Sequence, residues 1–161
     1  MKKIAFILSA AVFLSNFNAY ALDNSFLDMR NKFFEESKEI KLLLVSSKDA
    51  ILLSSMWDTC LLAISQLDAY FHMLGIFNTI KEKDLNEDAL DYIAKWLAEI
   101  KRNSELNVSI LSAGYISSEP DTQVHIGKLK SYLGELSKKT DRELDKISIL
   151  IKSAGIKHKK R

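Results

Sequence analysis

Little in this chain stops a helix. Its 161 residues hold one proline, Pro120, and five glycines. A chain so poor in breakers cannot make the many tight turns a sheet protein needs, so long helices joined by few connections are the expectation. Apolar periodicity divides the sequence into four such helices.

The first is expected over Asn24 to Val45, where Phe26, Met29, Phe33, Ile40 and Leu44 share one side at spacings of three, four and seven. The second spans about Ser47 to Phe77. Leu52, Leu53, Met56, Cys60, Ala63, Ile64, Leu67, Tyr70, Phe71 and Leu74 fall on one broad face, and Ser46-x-x-Asp49 is a capping-box-like start. The intervening "VSSKDA" has neither Gly nor Pro, so one long bent helix is the alternative here. The third runs from about Asn86 to Ala113, with Leu90, Ile93, Leu97, Ile100, Val108 and Leu111 as its stripe and Gly114 as a stop. The fourth opens at Ser118-Glu119-Pro120-Asp121, where Ser caps, Pro fits the first turn and the acids favour the positive helix end. It is expected to reach Ala154, with Gly155 ending it. Leu129, Leu133, Leu136, Thr140, Leu144, Ile147 and Ile151 form a near-heptad, coiled-coil-like seam. Helices of this length with short connections fold back on one another, giving an all-α, up-down-up-down four-helix bundle as the expected fold.

Residues 1–21 read differently. Lys2 and Lys3 precede an apolar run from Ile4 to Leu14, then polar residues, then Ala19-Tyr20-Ala21. A basic start, a short apolar middle and a small-x-small exit make a secretory signal peptide. The run is well short of the roughly 20 residues that span a bilayer. Cleavage after Ala21 would start the mature chain at Leu22 and leave one domain, 22–161, in the periplasm or outside the cell. The leader carries two of the 23 basic residues and none of the 21 acidic ones, so the remainder is balanced in formal charge. That balance is uneven. A mildly acidic body ends in a basic tail, 156–161, with Lys157, Lys159, Lys160 and Arg161. Nucleic-acid binding, which needs a basic face across the domain, is not expected.

Chemistry is sparse. Cys60 is the one cysteine, so an intramolecular disulfide is excluded, and its apolar neighbours Met56, Ala63 and Ile64 suggest an inert core thiol. His72 follows Asp68 by one turn on the polar side of the second helix, which alone makes a thin metal site. His125 lies at the edge of the fourth helix's stripe, as a hydrogen-bonded boundary residue, and His158 belongs to the tail. Covalent haem needs Cys-x-x-Cys-His, which is absent, and a Met29–His72 pair would point apart. No Gly-rich phosphate loop, nucleophile triad or acid pair on a core face is legible. No cofactor, metal or enzymatic activity is therefore expected.

What remains is an exported bundle that acts by binding a protein partner or an anionic envelope surface. Ile51, Leu61 and Ile76, interleaved with polar residues on the outer side of the second helix, are the candidate contacts, together with Lys157, Lys159, Lys160 and Arg161. A bundle holding a small apolar ligand or cofactor between its helices is the alternative.

Overall fold

A computed structural model describes residues 24–79, 87–113, 117 and 119–158. They form four helices: α1 (Asn24–Leu43), α2 (Ala50–Thr79), α3 (Glu87–Ser112) and α4 (Pro120–His158). The all-α four-helix expectation is met.

Each helix has two main neighbours. α1 lies against α2, with Phe26 and Tyr70 ring centroids 5.3 Å apart and Arg30 Nε 2.6 Å from Asp68. It also lies against α4, through Phe33–Tyr132 edge-to-face at 6.1 Å and Lys32–Glu135 at 2.7 Å. α3 meets α2 where Trp96 Nε1 donates to the Gln66 carbonyl at 3.2 Å, and meets α4 where Ser137 Oγ donates to Glu105 at 3.0 Å. Along the neighbouring helices the partner numbers run in opposite senses, for α3 from Trp96–Gln66 to Asn107–Thr59 and from Lys101–Asp141 to Glu105–Ser137, so the helices lie antiparallel.

The apolar stripes meet in the centre. Phe26, Met29, Phe33 and Ile40 of α1 are buried together with Leu53, Met56, Cys60 and Leu67 of α2. Leu97 and Ile100 of α3 and Leu129, Leu133 and Leu136 of α4 complete the same cluster. Buried hydroxyls in this seam return to their own helix. Ser104 donates to the Ile100 carbonyl at 2.8 Å and Thr140 to that of Leu136 at 3.0 Å, so neither is left unbonded in the core.

The α1–α2 break is real, and it is made by side chains. α1 stops at Leu43, and Ser47 N–H turns back to the Leu43 carbonyl at 3.0 Å. Ser47 Oγ then accepts the Asp49 N–H at 2.9 Å, and the Asp49 carbonyl accepts the first bond of α2 from Leu53 at 2.9 Å. Asp49 is thus the cap and Ser47 sets the turn, where the sequence pointed to Ser46 and a helix opening at Ser47. α4 begins the same way. Ser117 Oγ accepts the Glu119 N–H at 2.9 Å and the Glu119 carbonyl accepts from Gln123 at 3.0 Å. The expected cap, Ser118, lies outside the described residues.

These two starts bind each other. Ser47 Oγ donates to Glu119, Ser117 Oγ donates to Asp49, and the Lys48 N–H donates to Glu119 Oε1 at 3.0 Å. The Ser47 hydroxyl, then the Lys48 amide, hold the Glu119 carboxyl below its ordinary range.

At the far end α4 runs through Gly155 to His158. Glycine inside a helix costs about 1 kcal/mol, too little to end one flanked by good helix formers.

Burial settles the state of Cys60. Its side chain is fully enclosed, and burial, with a smaller effect from the Glu36 charge, pushes its thiol up to about 12. A thiol reagent at neutral pH is expected to leave the native chain unlabelled and to label it fully in denaturant. Rapid native labelling would contradict this packing.

Candidate functional site

α1 and α4 bring together a polar cluster on the inner edge of the bundle. Glu36 follows Met29 and Phe33 and precedes Ile40, so it occupies a slot of the apolar stripe and is only 3% exposed. No acid pair was legible on a core face in the sequence, and Glu36 is a single acid in such a slot, its neighbour Glu39 being half exposed. A buried carboxylate needs a partner. His125, 9% exposed, supplies one from α4, with Nδ1 2.5 Å from Glu36 Oε1. The carboxylate accepts and the ring N–H donates. Glu39, one turn along α1 and half exposed, places Oε2 3.9 Å from the same Nδ1. Lys128, one turn along α4, completes the group. Its ammonium lies 2.8 Å from Glu39 and 3.6 Å from Glu36. Its hydrogen bond to Glu39 holds the Glu39 carboxyl below its ordinary range and raises the Lys128 ammonium above its own. The boundary role expected for His125 is therefore filled, by a partner that the sequence reading did not name.

Glu36, Glu39 and Lys128 also line a groove of about 520 Å³ between α1 and α4. Five carboxylates and three ammoniums line it, with Tyr132 and Asn31. Lys32 bridges to Glu135 at 2.7 Å and lies over the Tyr132 ring at 5.7 Å, and Lys139 reaches Glu135 at 3.5 Å. The Lys32 bond keeps the Glu135 carboxyl low.

A second buried acid, Glu143, also fills a seam slot, between Thr140 and Ile147. Lys146 approaches its Oε1 at 2.5 Å, while its Oε2 has no hydrogen-bond partner among the described residues.

The Asp68–His72 pair is not formed as expected. Asp68 is held by the Arg30 guanidinium at 2.6 and 3.2 Å, and His72 is exposed on the surface. Met29 is buried, so it and His72 do point apart.

The candidate contacts on α2 are exposed as expected. Ile51 is 90% exposed, Ile76 61% and Leu61 40%. They do not gather into one patch. Ile51 and Ile76 lie on nearly the same line of the helix but about 37 Å apart at 1.5 Å per residue. Leu61 is turned about 80° from that line, whereas Leu62, 44% exposed, is within about 20° of it. The outer apolar line of α2 is thus Ile51–Leu62–Ile76, with Ser55, Asp58 and Ser65 between. Leu42 and Val45 extend the apolar exposure past the α1–α2 turn, next to Ile51 in sequence. Among the described residues, Ala50–Ile76 is the one stretch long and apolar enough to cross a membrane. One of its faces packs in the bundle core.

Lys157 falls in the last turn of α4. Lys159, Lys160 and Arg161 lie outside the described residues, as do Ala19, Ala21 and Leu22 of the leader.

No protein-family model, curated protein or solved structure matches the chain.

Proposed function

We propose that this chain is an exported, non-catalytic helical bundle that works by binding a protein partner or an anionic envelope surface. The observation that carries the reading is the apolar exposure around the α1–α2 turn, where Leu42, Val45 and Ile51 follow closely in sequence and stand in solvent, with Leu62 further along the same line of α2. Large apolar side chains grouped on a surface are the usual mark of a contact site. The leader, with its Ala19-Tyr20-Ala21 exit, supports delivery to the envelope.

The basic tail adds to such a contact and does not replace it. Each Lys or Arg near an anionic surface contributes about 1 kcal/mol. Four give about 4 kcal/mol, which corresponds to roughly millimolar binding alone. An apolar contact must supply the rest.

The test is crosslinking in the native envelope, followed by partition at low and high salt. Deleting Lys157 to Arg161 is expected to weaken association and its salt sensitivity while leaving the melting temperature unchanged. Ile51→Ser with Leu62→Ser is expected to weaken association at every salt concentration. If both variants partition like the parent chain, neither surface carries the contact.

A further inference from the structure

The Glu36–Glu39–His125 cluster was unforeseen in the sequence, and partner binding through α2 makes no use of it. We infer that it is a site for a divalent transition-metal ion of the zinc class, with the Lys128 ammonium standing in the cation's place when no metal is bound.

Four observations lead there. The donors are mixed, one imidazole and two carboxylates, which suits zinc and its neighbours better than calcium or magnesium. Two rigid helices hold them, with one oxygen or nitrogen from each residue within 4.8 Å of the others. A tetrahedral zinc with ligands near 2.1 Å separates them by about 3.4 Å. The 2.5 Å between Nδ1 and Glu36 must widen, and the 3.9 Å between Nδ1 and Glu39 must close, each by less than about 1 Å. Glu36 and His125 are both buried, so two of the three ligands are held in place by the packing around them.

The third observation points to the ligand itself. The position facing both carboxylates already holds a positive charge, the Lys128 ammonium at 2.8 and 3.6 Å. Lys128 is partly exposed, on a flexible stem, and can swing outward into water. The fourth is access. The α1/α4 groove reaches Glu36 and Glu39 of the cluster, and its lining carries more carboxylates than ammoniums. On binding, Nδ1 gives its lone pair to the metal and the imidazole carries its proton on Nε2.

The experiment uses the purified chain, first stripped with a chelator, and then zinc or cobalt ions. Equilibrium dialysis is expected to show one zinc per chain, and cobalt to give the visible absorption of a tetrahedral centre. Glu39→Gln changes a half-exposed ligand, so it keeps the metal-free fold. It is expected to weaken zinc binding at least about tenfold, since even outer-shell partners of metal ligands matter that much. Lys128→Met removes the competing ammonium. It is expected to bind zinc more tightly than the parent chain, and zinc is expected to restore the stability that the substitution costs. Calcium is expected to do neither. Zinc uptake unchanged by Glu39→Gln would place the metal elsewhere, for instance on His158, and overturn the assignment. So would a Lys128→Met chain that zinc does not rescue, which would make Lys128 a permanent counter-ion. A failure of partner binding leaves these readouts untouched.

Discussion

Leu133→Asp is expected to leave a chain with no cooperative unfolding transition at 25 °C. Leu133 is buried in the seam of α4 among Leu129, Leu136 and the stripes of the other helices. Removing a buried leucine side chain costs about 2–5 kcal/mol. Enclosing an unpaired carboxylate costs several more. Together these approach the whole stability of an ordinary domain, about 5–15 kcal/mol. Leu133→Met conserves volume and is expected to cost under about 1.5 kcal/mol. Urea titration followed by circular dichroism separates the two. A Leu133→Asp protein with a urea midpoint like that of Leu133→Met would mean that α4 does not bury this face.

The second large effect is a failure of additivity at Glu36 and His125. Without metal, His125→Leu leaves the Glu36 carboxylate buried with only Lys128 near its other oxygen, at 3.6 Å. Breaking a buried pair on one side is expected to cost about 2–4 kcal/mol, below the upper range because Lys128 stays. Glu36→Met leaves a buried imidazole N–H short of its acceptor, at about 1–3 kcal/mol. The double variant Glu36→Met/His125→Leu removes both polar groups and fills the space with apolar atoms. It is expected to lie within about 1 kcal/mol of the parent chain, and thus to be more stable than either single variant. Urea midpoints of the four proteins in chelator measure the coupling. Two costs that simply add would show that the 2.5 Å contact carries no energy of its own.

Most of the core was legible because it depends only on period. Phe26, Met29 and Phe33, or Leu129, Leu133 and Leu136, repeat by three and four, and a helix has no other way to hide them. The same period, followed strictly, also marks positions 36 and 143. Both carry Glu, and both are buried. A charged residue in a seam slot was the available signal. It shows that a partner must exist, but not which one. That His125 faces Glu36 depends on the register between α1 and α4, helices 89 residues apart at this contact, and nothing local encodes it. The α1–α2 break was hard to read for another reason. "VSSKDA" has no backbone breaker, and its turn is made by the Ser47 hydroxyl competing for an amide a helix would otherwise use. On α2 the polarity of the outer side was right, but Leu61 and Leu62 lie a residue apart. Choosing between them takes the angular position of each, not the pattern of polar neighbours.

The bonds between the two helix starts join the α1–α2 turn to the α3–α4 turn at one end of the molecule. α1–α2 and α3–α4 are two hairpins with similar apolar stripes, and turning the second end over end before docking would bury much the same leucines. Hydrophobic matching alone discriminates weakly between those arrangements. Ser47 and Asp49 can reach Glu119 and Ser117 only when both turns come to the same end of the molecule. In the inverted arrangement each acid would face the opposite pole with its partner a full helix length away. The seven residues between Thr79 and Glu87 reach at most about 25 Å, too short to span a helix, so they already fix this polarity, and the two serine–acid pairs lock the two turns together at the end where it brings them.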